Sequence, residues 1–260
     1  MRGVVSKALS PGAVRNALNG TWLGHPAHPM LTDVVIGSWT SAFFLDLLGG
    51  KPARPAADRL VGLGVLAALP TAAAGLADWA DSSSVDRRVG LVHALINVKA
   101  TALYSLSYLA RRRGRRSAGV ALGLLGAAAA TVSGHLGGHL SYRRGVNVNR
   151  NAWHDGPSEW EPAGVDPGLA EGEPVLGQAG DAEVLIVRQG PRICALGDVC
   201  SHAGGPLHEG KVGGGRVTCP WHGSTFELTD GAVVTGPATA PQPAYDVRVE
   251  GGTVSVRQKN

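Results

Sequence analysis

Three cysteines in 260 residues are too few for a disulfide scaffold. The first twenty residues, MRGVVSKALSPGAVRNALNG, lack the long apolar core of a cleavable signal peptide, so the first apolar run is expected to act as the targeting signal. Residues 60–77 and 117–140 contain no Asp, Glu, Lys or Arg. No nucleophile–base pair is legible anywhere along the chain, and independent catalysis is not expected.

Charge is present, but unevenly. Residues 1–150 carry 17 Lys and Arg against 6 Asp and Glu, and residues 151–260 carry 7 against 14. The overall +4 therefore hides a half of net +11 joined to a half of net −7. Much of the basic charge flanks apolar runs, which argues against a nucleic-acid partner. Four such runs occupy roughly residues 30–48, 60–79, 89–110 and 117–140, each close to the length of about 20 residues that crosses a bilayer. The expected fold is an α-helical membrane bundle of four transmembrane helices over residues 1–144, a connector over 145–170 rich in Gly, Pro and Asp, and a small all-β domain over 171–260. In that last part Glu183–Val187, Arg192–Leu196, Arg216–Cys219, Thr225–Leu228, Tyr245–Val249 and Thr253–Val256 alternate or are β-branched, with glycine turns between them.

An even number of spans places both chain ends on one side, here the terminal side. That side receives Arg2, Lys7, Arg15, Arg87, Arg88, Arg143, Arg144 and Arg150. The other receives Lys51, Arg54, Arg59 and the run Arg111, Arg112, Arg113, Arg115 and Arg116. Eight against eight leaves the orientation open, although the dense 111–116 run weighs slightly toward termini outside. His25, His28, His93, His135 and His139 all fall near the terminal side by chain position. His135 and His139 share a helix face. Ionisable groups inside a membrane are costly and usually functional. Three readings follow: haem b held by histidines of the third and fourth helices, a quinone site using His and Asp33, or interfacial histidines bonded to headgroups and backbone. Lys99 is expected to pair with Asp33 or with a carboxylate at a helix end.

The densest chemistry lies at Cys200-Ser-His202 and Cys219-Pro-Trp-His222. Cys and His at paired spacing can close a metal site, and a structural zinc is one occupant. Zinc fingers usually keep their two Cys together and their two His together, whereas each loop here supplies one of each. The surrounding CSHAGGPLHEG and CPWHGSTFELTDG resemble the two cluster-binding loops of Rieske proteins, over about residues 170–258. That resemblance implies a [2Fe-2S] cluster with Cys200 and Cys219 on one iron and His202 and His222 on the other. It also implies a cluster-bonding hydroxyl at Ser224 and a covering proline-rich loop from Gly236 to Pro243. Phe226 stands where high-potential relatives place a Tyr, so a potential below theirs is expected. The loops lack the extra Cys of exported high-potential relatives and look more like those of cytoplasmic Rieske ferredoxins. Cys194 reads as a buried strand residue and His208 as a loop residue. Upstream, Gly24-His25-Pro26-Ala27-His28-Pro29 resembles the opening of a bacterial family of four-helix membrane proteins of unassigned function, some fused to Rieske modules.

Together these features suggest a membrane-anchored Rieske protein passing single electrons, multi-pass in the cell membrane. Its partners would be membrane lipid and a redox protein with a basic docking face. The alternatives are a subunit of a quinol- or haem-linked oxidoreductase and a redox sensor or assembly module.

Overall fold

The four apolar runs form four long helices, whose internal hydrogen bonds satisfy the backbone within each segment. A computed structural model describes residues 12–259, with the side chain of Ser84 outside the description; Arg2 and Lys7 lie outside the described residues. A short helix α1 (Gly12–Asn19) comes first. It is followed by α2 (Ala27–Leu48), α3 (Arg54–Ala80), α4 (Ser84–Arg112) and α5 (Arg116–Gly138), which runs into a π-helical turn at His139–Arg143. All four long helices are long and apolar enough to cross a membrane.

Residues 27–146 make one compact unit. Within it α2 packs on α3, α4 packs on both α3 and α5, and α2 meets α5 to close the bundle. The core is built from aromatic rings set against small residues. Trp39 stacks on Tyr104 with ring centroids 3.9 Å apart and planes 13° from parallel. Gly126 admits that stack, since a Cβ there would lie 2.8 Å from the Tyr104 ring. Small residues at such contacts let membrane helices approach closely.

The buried face of α4 runs through Ala100, Tyr104, Ser107 and Arg111, at the spacing of one helical face. Arg111 therefore points inward, and it organises a four-helix ionic cluster. Its guanidinium contacts Asp46 of α2 at 2.5 Å and Asp58 of α3 at 3.0 Å. Arg116 of α5 contacts the same two carboxylates at 2.5 and 2.9 Å. The expected Lys99 pairing is not formed. Lys99 sits one residue before Ala100 and faces outward, Asp33 is also exposed, and among the described residues neither has an ion-pair partner within this unit.

The second compact unit joins residues 12–26 to residues 147–259. A six-stranded antiparallel sheet has the order β1-β10-β9-β4-β3-β2, with β1 Glu161–Val165, β2 Pro174–Ala179, β3 Ala182–Gln189, β4 Arg192–Gly197, β9 Ala244–Glu250 and β10 Thr253–Gln258. A four-stranded sheet runs β5-β6-β7-β8, with β5 Lys211–Gly213, β6 Arg216–Thr218, β7 Thr225–Glu227 and β8 Val233–Thr235. All six expected strands are present. Strand β1 lies inside the stretch read as a connector: only Ala163 and Val165 turn inward, too short an alternation to stand out beside Gly and Pro. The run Val184-Leu185-Ile186-Val187 on β3 is buried on both faces. Val184 and Ile186 face one apolar core, while Leu185 and Val187 face a second that also holds Cys200, Leu207, Cys219 and Phe226.

Candidate metal centre

Two loops converge above that second core. The first, residues 200–206, follows β4; the second, residues 219–224, links β6 to β7. Both close with the same hydrogen bonds. Cys200 N–H donates to Gly205 O (2.9 Å) and Gly204 N–H to Cys200 O (2.8 Å); Cys219 N–H donates to Ser224 O (2.8 Å) and Gly223 N–H to Cys219 O (3.1 Å). The closure needs a left-handed residue four positions after each Cys. Glycine supplies it at Gly204 (φ +81°) and Gly223 (φ +74°).

This closure brings like donors together. Cys200 and Cys219, both buried, are in sulfur–sulfur hydrogen-bonding contact. The His202 and His222 rings lie 4.9 Å apart, centroid to centroid, at 88°. Backbone N–H groups of His202 and Ala203 point at the Cys200 sulfur, and those of Trp221 and His222 at the Cys219 sulfur. Gly205 leaves room for the opposite loop: a Cβ there would lie 3.0 Å from Cys219 Sγ and 2.9 Å from Trp221 Cγ. Among the described residues no three Cys, His, Asp or Glu side chains converge as a single metal group. The donors are sorted two and two.

The electrostatics follow from this packing. The hydrogen bond between the sulfurs, and then burial, push the Cys200 thiol up, and the same bond lowers the Cys219 thiol. Burial, followed by the charge of His222 and of Arg15 and Arg150, lowers His202 to about 3. The His202 imidazole is thus biased toward the neutral form that can ligate a metal.

Supports for the two loops come from elsewhere. Gln242, 2 % exposed, accepts from Ser201 N–H (2.8 Å) and donates to Gly197 O (2.8 Å) and Val199 O (3.0 Å). Asn151 donates to Val199 O and to Gln242 Oε1. Ser201 Oγ donates to Ala240 O at 2.8 Å, which ties the 236–243 loop to the first Cys loop. On the other side, the buried Ser224 hydroxyl accepts from Ala238 N–H at 2.9 Å, and its own proton remains available to a second acceptor. Phe226 is wholly buried in the core below. His208 is held by the buried Asp198, whose two oxygens take His208 N–H (2.7 Å) and Nδ1 (2.8 Å). Cys194 lies on β4 at the edge of the core.

Sequence reasoning missed α1. Its Asn16 grips the outer edge of β8, donating to Val234 O and accepting from Gly236 N–H, both at 2.9 Å. The adjacent Arg15 donates to His222 O at 2.6 Å. Both lie more than 200 residues from their partners, so no local spacing rule could have found them.

The histidines of the helical unit do not form the pair that the haem reading requires between the third and fourth helices. His93 Nδ1 meets Ser133 O at 2.9 Å, and Asn97 Nδ2 meets His93 Nε2 at 3.0 Å. The ring that His93 approaches is His28, with centroids 6.4 Å apart, and not His135, which is exposed two residues beyond Ser133. His28 Nδ1 is in turn bonded to Thr71 O at 2.9 Å. His139 is half-buried, and His25, which belongs to the other unit, is exposed.

Comparison with known proteins agrees with the two-part architecture. Residues 159–246 match the Rieske [2Fe-2S] domain family, and residues 24–150 match a family described as predicted membrane protein (DUF2231). The chain is 35% identical over 99 residues to the anthranilate 1,2-dioxygenase ferredoxin subunit of Burkholderia cepacia, covering 38% of this chain and 92% of that one. It is 30% identical to the cytochrome b6-f complex iron-sulfur subunit of Chlorobaculum tepidum, over 30% of this chain and 42% of that one. Among solved structures, the ferredoxin of carbazole 1,9a-dioxygenase from Nocardioides aromaticivorans IC177 is 31% identical and covers 39% of this chain and all of its own, with a TM-score of 0.37. The chain belongs to the Rieske [2Fe-2S] proteins through its C-terminal part, and carries that module behind an N-terminal domain of the DUF2231 family.

Proposed function

We propose that Cys200, His202, Cys219 and His222 hold a [2Fe-2S] cluster, with the two sulfurs on one iron and the two imidazoles on the other. The observation that carries this reading is the sorting of donors: sulfur beside sulfur and ring beside ring, each pair drawn from both loops. A tetrahedral zinc would need all four donors on one point. When bound, the cluster takes up and gives up a single electron. The chain's own residues do the rest. Four N–H groups aimed at the sulfurs favour thiolate over thiol, and the buried core beneath them excludes water. The half-exposed imidazole edges give the electron its exit toward a partner. Phe226 brings no hydroxyl to the cluster, so the potential sits below that of relatives with a Tyr there.

On this reading the protein is an electron carrier in a multi-pass membrane setting, passing single electrons to or from a redox protein. The relatives named as dioxygenase ferredoxin and b6-f subunits support an electron-transfer role. The net −7 of residues 151–260 suits a partner with a basic docking face. Optical and EPR spectra of the detergent-solubilised full chain, with and without dithionite, test the reading. A reducible Rieske-type signal of two irons per chain is expected, lost in both Cys200→Ser and Cys219→Ser. A colourless protein carrying one zinc per chain would overturn it.

A further inference from the structure

The two stretches that bracket the four long helices each deliver an arginine to the paired loops. Arg15 belongs to α1, before the first long helix; Arg150 follows the last. Both lie in the same compact unit as the loops. Arg15 Nη2 donates to the carbonyl of His222 at 2.6 Å, and Arg15 Nη1 lies 3.5 Å from where a Cβ on Gly223 would stand. The guanidinium therefore lies against the second loop, and glycine at 223 leaves it that space. Arg15 is not there by chance of an extended side chain, because its neighbour Asn16 fixes α1 to the edge of β8 with two hydrogen bonds. Arg150 is placed by its backbone, whose N–H donates to Ser201 O at 3.0 Å, one residue from His202. The next residue, Asn151, is fastened to Val199 O and Gln242.

We infer that Arg15 and Arg150 are positioning residues that raise the reduction potential of the centre held by the two loops. The inference rests on the [2Fe-2S] reading given above. One-electron reduction adds one negative charge at the loops, and the electron comes from the donor protein. A cation held against the second loop at Arg15, and one carried at Arg150 on a backbone bonded to the first, stabilise the reduced state more than the oxidised one, and the midpoint moves up. The remainder of the domain is acidic, so these two arginines oppose the field that the domain's own surface imposes. The segments bracketing the helices thereby become part of the redox centre and more than a tether.

An EPR-monitored redox titration of the solubilised full chain tests this. Arg15→Gln and Arg150→Gln are each expected to lower the midpoint potential, the double variant to lower it by about the sum of the two shifts, and Arg15→Lys to stay near the unaltered value because it keeps the charge. Either Gln variant titrating at the unaltered potential with its EPR signal intact overturns the assignment for that arginine. Arg15→Lys shifting as far as Arg15→Gln would show that the bond to His222 O matters and the charge does not. If Arg15→Gln fails to load, Arg150→Gln decides by the same reading. An unaltered chain without a Rieske-type signal would sink the cluster assignment itself, which is a distinguishable result.

Discussion

The two cysteine loops close in the same way, share the 236–243 loop as a support, and differ in what else holds them. Each uses a Cys N–H, a Cys carbonyl and a left-handed glycine four residues on. The first is fastened by the side chains of Gln242 and Asn151 and by its own Ser201 hydroxyl, which donates to Ala240 O. The second reaches the same 236–243 loop through Ser224 and is held in addition by Arg15 of α1, which donates to His222 O. The histidine stands two residues after Cys in the first loop and three after it in the second. Closure is thus a local property that sequence can encode twice. Support is tertiary, and each loop recruited what its surroundings offered.

This contrast can be tested in descending order of effect. Gly205→Ala strikes both loops, since its Cβ would meet Cys219 Sγ and the Trp221 ring; loss of most cluster loading, read as iron per chain, is expected. Gln242→Ala strikes the first loop alone. It leaves Ser201 N–H and Gly197 O without this partner in a buried setting, and a loss of about 3 kcal/mol in chemical denaturation of the β unit is expected. Gly204→Ala and Gly223→Ala test the shared closure. Both place a Cβ on a left-handed residue at a cost of about 1–2 kcal/mol, and nearly equal losses would support the likeness of the two loops. Ser224→Ala removes one buried acceptor from Ala238 N–H, for a loss of about 1–2 kcal/mol. Asn16→Ala should cost least, about 1 kcal/mol, and should disturb the second loop's amide exchange while sparing the first.

Legibility in the sequence followed the same division. The four donors lie within 23 residues, and their spacing, with the glycines, carried the motif by itself. The long helices were equally legible, because apolar length is a property of each segment. What escaped depended on faces and distant pairings. Haem between histidines of the third and fourth helices was one of three readings, and the face of α5 that His93 meets is that of Ser133 and Gly137, with His28 arriving from α2. Lys99 was expected to find a carboxylate, but the inward face of α4 runs through Ala100 and Arg111. Arg15 read as one basic residue among eight on the terminal side, and nothing near it in the chain announced a bond to His222 O.

The ionic cluster of Arg111, Asp46, Asp58 and Arg116 has a consequence for biosynthesis. Each long helix contributes one charged residue, and the charges arrive in the order Asp46, Asp58, Arg111, Arg116. After two helices the chain holds two carboxylates with no cation of the set. After three it holds one guanidinium between them, and only the fourth brings the set to neutrality. A chain truncated before the fourth long helix is therefore marked by uncompensated acid at the helix ends, which the finished bundle does not carry.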